Sequence, residues 1–349
     1  MKVTTLVLIC ALMLMGLSTA CAELICTPVD AELGFSMRGL SVTDDDSIIA
    51  YGYYGEPGDT RGALLRIRLN GSCENVTPSS DTYEGLYRGV IWLGDDHMVV
   101  MRSVPNDSQY RDFVAEFKDG QMIWHTEFTE NMFFIEPVAD NFFAYCKPAR
   151  VTSEIWNMGM DGTIHGKQTM KERIILQGIL DGTDRHIAYG ELVEDPHPDG
   201  TDQRSNTMIF CFDDTGEILW RYQGTRTSYG AQLKHAAWAE NGSVICIESY
   251  NIVKYDDLGE VWSTPITQGD AEYIFKIGDD YWVIGTTENY SSKQIIRINE
   301  NGDILELKEL PELTQDMIHP FLLDNEIYAI MDSGRETPLE IVRLTDVFD

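Results

Sequence analysis

Residues 234–266 read KHAAWAENGSVICIESYNIVKYDDLGEVWSTPI and contain one complete structural unit of this chain. Apolar and polar residues alternate within four short segments, as they do in β-strands that bury one face. The turn at Asn241-Gly242 and the turn that ends at Gly259 supply the positive φ that tight hairpins need. The stretch therefore predicts four antiparallel strands joined by short turns.

The third strand of this unit recurs along the chain together with its glycine turn. The repeats are Leu64–Gly71 (LLRIRLNG), Phe113–Gly120 (FVAEFKDG), Ile155–Gly162 (IWNMGMDG), Met208–Gly216 (MIFCFDDTG), Ile252–Gly259 (IVKYDDLG), Ile295–Gly302 (IIRINENG) and, without the glycine, Ile341–Asp346 (IVRLTD). Successive turn glycines are 49, 42, 54, 43 and 43 residues apart. A period of about 40–50 residues in an all-strand chain is typical of β-propeller blades. The sequence predicts an all-β, seven-bladed β-propeller of four-stranded blades.

The seventh blade lacks a fourth strand of its own, because only residues 347–349 remain after its third. Glu23–Val29 (ELICTPV) reads as a strand that belongs to no blade. An unpaired strand edge invites aggregation. We therefore expect this N-terminal strand to complete the last blade and close the ring. Three tryptophans of fourth strands, Trp124, Trp220 and Trp262, are expected to fill the wedges between blades.

The first 22 residues have the composition of a secretory signal peptide, which leaves residues 23–349 as the propeller domain. Lys2 is their only charge, and the apolar run Leu6–Leu17 is short for a membrane span. Two alternatives stay open. Ala20-Cys21-Ala22 fits cleavage before Glu23, whereas residues 17–21 also resemble a loose bacterial lipobox that would leave a lipidated Cys21. We expect a secreted or extracytoplasmic protein of bacterial type, with no later transmembrane segment.

Charge and cysteine content exclude several classes of protein. The chain has 26 Lys and Arg against 57 Asp and Glu, a formal net charge of −31. Such a surface repels nucleic acid, and we expect a monomer with no nucleic-acid partner. The cysteines after the signal are widely spaced and odd in number, which fits neither a disulfide framework nor a zinc site. They are Cys26, Cys73, Cys146, Cys211 and Cys246.

Residues 213–220, DDTGEILW, carry a family resemblance. They resemble the repeat of quinoprotein-like (PQQ-like) propellers, in which an aspartate turn, a glycine and a tryptophan recur in each blade. The resemblance covers the repeat unit across residues 23–349 and implies architecture only. The vicinal cysteines and the metal constellation of the quinone dehydrogenases have no matching positions here. The resemblance thus implies a non-quinone member, and no cofactor is expected.

Candidate binding residues follow from the distribution of loop lengths. The longer loops connect second to third strands, notably at residues 191–205, and share one face with the crossovers between blades. Polar residues near the starts of the innermost strands should surround the channel mouth on that face: Arg38, Arg88, Gln177, His235 and His319. Paired arginines suit a carboxylate or phosphate. The alternative is that they pair with acids of the chain, such as Glu84 or Glu272.

Residues 195–202, DPHPDGTD, place oxygen ligands around a glycine, as calcium loops do. Asp195, Asp199 and Asp202 would bind Ca²⁺. The loop lacks the closing bidentate glutamate, and its two prolines restrict it. A solvated turn is the alternative.

The sequence favours binding over catalysis. It has no H-E-x-x-H, G-x-S-x-G or phosphate-cradling glycine loop. The first hypothesis is a secreted or surface-attached, non-catalytic propeller that binds a protein, peptide or glycan through its long-loop face. The alternative is a carbohydrate hydrolase or lyase with acids at the channel mouth, which needs two carboxylates about 5–10 Å apart.

Overall fold

The computed structural model describes residues 26–43, 45–55, 60–81, 85–106, 109–128, 131–138, 140–149, 152–172, 174–193, 205–224, 233–311, 313, 317–332 and 337–348. These residues form seven four-stranded antiparallel sheets. The first strands of neighbouring sheets contact one another from the first sheet to the sixth and between the seventh and the first, and the sixth and seventh sheets share an apolar cluster. The chain is therefore a seven-bladed β-propeller with four-stranded blades, and the predicted fold is confirmed. No helix in these ranges is long and apolar enough to span a membrane.

The strands follow the chain from the innermost to the outermost position in six blades. Blade one contains β2 (Ser36–Val42), β3 (Ser47–Tyr54), β4 (Arg61–Arg68) and β5 (Cys73–Asn75). Blade two contains β6 (Leu86–Gly94), β7 (His97–Asn106), β8 (Gln109–Lys118) and β9 (Gln121–Phe128). Blade three contains β10 (Asn131–Val138), β11 (Asn141–Ala149), β12 (Thr152–Gly159) and β13 (Ile164–Met170). Blade four contains β14 (Ile174–Leu180), β15 (His186–Val193), β16 (Ser205–Phe212) and β17 (Ile218–Gln223).

The remaining blades include the seam of the ring. Blade five contains β18 (Leu233–Trp238), β19 (Val244–Glu248), β20 (Asn251–Asp256) and β21 (Gly259–Pro265). Blade six contains β22 (Asp270–Ile277), β23 (Asp280–Thr286), β24 (Lys293–Ile298) and β25 (Ile304–Leu310). Blade seven contains β26 (Met317–Leu323), β27 (Glu326–Asp332), β28 (Glu340–Arg343) and, as its outermost strand, the N-terminal β1 (Cys26–Pro28). Short 3-10 helices occur at Glu240–Gly242 and Thr345–Phe348.

The N-terminal strand closes the ring as predicted. β1 pairs antiparallel with β28, and Thr27 lies opposite Ile341. The ladder continues through a bond from the Val29 N–H to the Leu339 carbonyl at 2.8 Å. Val29 is buried in an apolar cluster that combines residues of blades one and seven, among them Met37 and Phe321. The closure therefore contributes ladder bonds and core burial at once.

The repeated glycine turns have a second role that the sequence did not reveal. The outer strand of each of several blades packs against the third-strand turn of the next blade. At the seam, the Asp30 N–H donates to the Gly71 carbonyl at 2.9 Å, and a Cβ on Gly71 would lie 2.2 Å from the Pro28 carbonyl oxygen. In blade five, Thr264 donates to the Gly302 carbonyl at 2.7 Å. Glycine is required there by the neighbouring blade as well as by the turn's φ.

Two of the three tryptophans predicted to lie between blades donate a hydrogen bond to the third-strand turn of the next blade. Trp124 donates from Nε1 to the Met160 carbonyl at 3.0 Å, and Trp262 donates to the Glu300 carbonyl at 3.1 Å. Trp220 packs against the apolar cluster that joins blades four and five. All three therefore lie between blades, as predicted. The tryptophan ring contributes apolar burial while its N–H satisfies a turn carbonyl.

The cysteines of the described residues are all free. Cys146, Cys211 and Cys246 are buried in the apolar clusters between strands, whereas Cys26 is exposed at the seam. These three thiols therefore pack as small apolar side chains.

Deleting residues 23–30 from a chain that begins at residue 23 is expected to lower the free energy of unfolding by on the order of several kcal/mol, because ladder bonds and core burial are lost together. Thermal melting and light scattering should show a lower Tm and aggregation. Thr27→Ala, which keeps the backbone ladder, should behave nearly like the parent. An unchanged Tm in the deletion would contradict a closing role for β1.

Candidate functional site

The innermost strands share an irregularity near the end at which each begins. In blades one to six, the pairing of the first with the second strand skips one residue of the first, as at a β-bulge. A bulge leaves that residue outside the ladder and re-aims its side chain. In blade seven, which has no shift, His319 follows the buried Ile318 and holds the equivalent position. We call these seven residues the mouth ring: Arg38, Arg88, Phe133, Gln177, Lys234, Glu272 and His319.

Two charges of the mouth ring are neutralised within the protein. Nζ of Lys234 lies 2.5 Å from an Asp270 carboxylate oxygen, and Nζ of Lys293 lies 3.1 Å from a Glu272 carboxylate oxygen. The sequence left open an ion pair between Glu272 and the ring arginines, but the lysine holds this carboxylate instead. Glu84, the other acid considered, lies outside the described residues.

A cavity of about 500 Å³ opens beside the ring on the side of blades one to four. Its wall combines both ring arginines with an amide and several aromatic side chains. The lining residues are Arg38, Tyr51, Leu86, Tyr87, Arg88, Phe133, Phe134, Leu176 and Gln177. We call it the mouth cavity. The structure thus brings three of the five predicted ligand-binding residues together in one place.

The two arginines of the mouth cavity have no carboxylate partner among the described residues. Arg38 donates to the Tyr53 hydroxyl at 3.3 Å, with its guanidinium 5.2 Å from the centre of that ring. Arg88 is exposed and has no hydrogen bond or ion pair within the described part of the chain. Like charges that share a cavity repel unless an anion lies between them. The arrangement suits a carboxylate or another oxyanion.

The wall behind Arg88 is a buried polar cluster. Arg102, which is 1% exposed, forms an ion pair with Asp81 and lies with its guanidinium 4.5 Å from the centre of the Tyr87 ring. The Tyr87 hydroxyl donates to the same carboxylate, and burial raises the pKa of this tyrosine well above its usual range. Tyr87 therefore remains a neutral hydrogen-bonded side chain that fixes this wall of the cavity.

Glycines next to the bulges admit tyrosines from the second strands. An added Cβ on Gly39 would lie 2.3 Å from the Tyr51 hydroxyl oxygen, and one on Gly178 would lie 2.5 Å from that of Tyr189. Both phenol groups thus occupy the space that a side chain of the innermost strand would take. Burial raises the pKa of Tyr51 to about 12 and that of Tyr189 further, and the charge of Glu136 contributes to both shifts.

Glu136 of β10 lies within electrostatic range of tyrosines from blades one and four, and therefore faces the channel. Burial raises its carboxyl pKa to about 7. Its side chain is nevertheless partly accessible to solvent, as expected for a group enclosed in a water-filled channel. The carboxyl group has no hydrogen bond or ion pair with any residue that the structure describes.

The two predicted histidines lie apart from the residues that line the mouth cavity. His235 follows the ring residue Lys234 and packs against the Tyr273 and Phe275 rings, with centroids 5.6 and 5.5 Å away. Its Nδ1 accepts a 3.4 Å bond from the Ile274 N–H, and burial lowers its pKa to about 4. His319 belongs to the ring, and burial lowers its pKa as well. A ligand-binding role for either stays a prediction.

The predicted calcium loop, with Asp195, Asp199 and Asp202, lies outside the described residues. Within the ranges that the structure describes, no three histidine, cysteine, aspartate or glutamate side chains lie close enough to hold a metal ion. The described lining of the mouth cavity contains no carboxylate, so it offers no acid pair for glycoside hydrolysis.

Sequence reasoning missed part of the ring. Phe133, Lys234 and Glu272 were not identified, because a bulge shifts the alternation by one residue. The usable signal was the repeated triplet of an apolar residue, a polar residue and a glycine, which occurs at Met37-Arg38-Gly39 and in blades two and four. An alignment of the innermost strands of the other blades on the buried residue before the bulge would have identified Phe133, Lys234 and Glu272.

The seven antiparallel four-stranded sheets define the chain as a β-propeller. No protein-family model and no curated protein matches its sequence. Among solved structures, it is similar to a chain of the mitotic checkpoint complex, at 10% identity over 93% of this chain and 96% of that chain, with a TM-score of 0.57. It is also similar to Sqt1 from Chaetomium thermophilum, at 11% identity over 88% of this chain and 83% of that chain, with a TM-score of 0.55. These likenesses show the fold alone, and the quinoprotein-like resemblance stays a prediction.

Gly39→Ala is expected to cost about 1–3 kcal/mol of stability, because its Cβ would overlap the Tyr51 ring and hydroxyl. In a Tyr51→Leu background the same change should cost less than half as much, which a double-mutant cycle by urea unfolding would measure. Gly166→Ala is the matched control, since its Cβ would meet nothing closer than 3.6 Å. Equal costs of Gly39→Ala in both backgrounds would show that the tyrosine does not occupy this space.

Proposed function

We propose that the chain is a secreted or surface-attached, non-catalytic propeller that binds a protein, peptide or glycan through its long-loop face. The mouth cavity is the centre of that face and receives an anionic group of the partner. One observation carries the proposal: two arginines without a carboxylate partner among the described residues line one cavity, in a chain whose formal net charge is −31.

Electrostatics favours the binding of an anionic group from a partner between the two mouth arginines. Eleven basic side chains of the described residues form an ion pair with an internal carboxylate, among them Arg66 with Asp45 and Lys254 with Glu300. The mouth arginines belong to the described basic residues that do not, and both line one cavity. Guanidinium groups bind carboxylates through two parallel hydrogen bonds, which gives orientation as well as attraction.

The other residues of the mouth cavity suit a binding surface. Phe133 is 40% exposed, and an exposed aromatic ring at the centre of a face offers apolar contact area at low entropic cost. Gln177 adds an amide that can donate and accept. A cavity with a few polar groups among aromatic rings is the usual form of a ligand site on a rigid scaffold. The similarity to chains named Sqt1 and mitotic checkpoint complex supports the choice of fold for this role and nothing more specific.

The double substitution Arg38→Ala with Arg88→Ala is expected to weaken binding of a carboxylate-bearing partner by about 2–5 kcal/mol, the usual cost of truncating charge pairs at an interface. Peptide and glycan arrays with purified residues 23–349 would identify ligands, and calorimetry would then compare affinities. Arg68→Ala removes an exposed arginine outside the mouth cavity and should leave the affinity unchanged. Equal affinities of wild type and double variant for every array ligand would exclude the mouth cavity as the site.

A further inference from the structure

Beneath the mouth cavity, the channel contains a polar cluster that the proposed anion site does not use. The hydroxyls of Tyr51 and Tyr189 reach the innermost strands through the space left by Gly39 and Gly178. The carboxyl group of Glu136 lies within electrostatic range of both. Because these residues belong to blades one, four and three, the cluster spans the channel rather than one wall. Tyr51 also lines the mouth cavity, so the two regions are adjacent.

Among the described residues, Glu136 has no partner that would explain its position. A carboxyl group enclosed by protein is costly when ionised, unless a cation or several hydrogen-bond donors stabilise it. No described residue supplies either to Glu136. Its side chain keeps contact with solvent, so a group that enters the channel can reach it. A perturbed carboxyl in a concave site is a candidate binding group.

The geometry points to a second subsite, centred on Glu136 with the hydroxyls of Tyr51 and Tyr189, that binds a cationic group of the same ligand whose carboxylate binds Arg38 and Arg88. This inference rests on the proposed function, since the arginines supply the other end of the ligand. A protonated amine donates hydrogen bonds to a carboxylate and to phenol oxygens, all of which can accept them.

The spacing of the two subsites defines the class of ligand. Glu136 follows Phe133, which lines the mouth cavity, by three residues along β10. Three residues of a regular strand span about 10 Å, and the bulge at Phe133 makes this an upper limit. An extended peptide covers that distance in about three residues. The ligand is therefore a peptide end with a free carboxylate and an amine about three residues before it. A divalent metal fits less well, because Ca²⁺ and Mg²⁺ require more carboxylate and carbonyl oxygens than one glutamate and two phenols provide.

Two synthetic probes test the inference by calorimetry. The first is the acetylated tetrapeptide Lys-Gly-Gly-Phe with a free C-terminal carboxylate. The second replaces lysine by norleucine, which keeps the length and the carboxylate but removes the cation. Both should be measured at pH 6, 7 and 8 with wild type, with Glu136→Gln and with Glu309→Gln. The last variant removes the same charge from the exposed outer strand of blade six.

The expected result is an affinity that rises with pH for the lysine peptide and does not rise for the norleucine peptide. The lysine peptide needs ionised Glu136, whose pKa is about 7, so its affinity should rise about tenfold from pH 6 to pH 8. The norleucine peptide should bind no better, or less well, as pH rises. Tyr51 and Tyr189 titrate above this range, and burial lowers the pKa of His235 to about 4 and that of His319 below its usual value. The charged groups of the mouth ring, Arg38, Arg88, Lys234 and Glu272, face both probes alike, so they do not distinguish the lysine peptide from the norleucine peptide. Glu136→Gln should abolish the lysine peptide's advantage, and Glu309→Gln should preserve it.

The possible failures are distinguishable. Equal affinities of wild type for both probes, or a pH dependence that persists in Glu136→Gln, would overturn the second subsite. If both probes bind equally and Arg38→Ala with Arg88→Ala abolishes that binding, the proposed anion site stands and only the subsite is wrong. If neither probe binds wild type, two inferences are wrong together: that the mouth cavity binds a peptide C-terminus, and that Glu136 forms a second subsite. The comparison of the two probes in wild type tests the subsite even if a variant fails to fold.

Discussion

The ring of blades depends on one short contact, the pairing of the N-terminal β1 with the last strand, β28. A propeller is stable as a closed ring because each blade buries both faces against its neighbours. At the seam, β1 also packs on the Gly71 turn of blade one, as the outer strands of other blades pack on the next turn. The segment 26–30 thus supplies both the last ladder and the last interface between blades. The positions of the channel and its mouth follow from that closure.

The chemistry of the mouth arises from a local departure from regular β-structure. Bulges at equivalent positions of six innermost strands place one side chain each at the channel opening. Because the bulge is set by the fold, the identity of the residue there is free to vary between blades. The chain uses this freedom to place cations and aromatic rings on the side of blades one to four. The opposite side carries ion pairs that neutralise themselves, such as Lys234 with Asp270.

The architecture was predictable from sequence because its signals are local. The Asn-Gly and Asp-Gly turns recur at a blade period, and the spare strand at residues 23–29 had only one edge to complete. The site was predictable in part. Arg38, Arg88 and Gln177 were identified from their position at strand starts, but the bulge displaced the expectation in blade five from Lys234 to His235. Glu136 gave no signal, because its environment comes from tyrosines more than 50 residues away in sequence on either side.

The arginines at the mouth and the enclosed Glu136 carboxyl, none of which has a charged partner within the described part of the chain, share a physical explanation. A folded chain with abundant acids can neutralise two arginines at little cost, and a buried glutamate can be replaced by glutamine or an apolar residue with a gain in stability. Positions that keep such groups without internal partners are typical of binding sites, where the missing partner belongs to the ligand. In this propeller the arginines lie near the starts of two innermost strands, and the glutamate lies further along a third. Their opposite charges therefore favour a ligand that enters the channel along its axis over one that lies flat across the face.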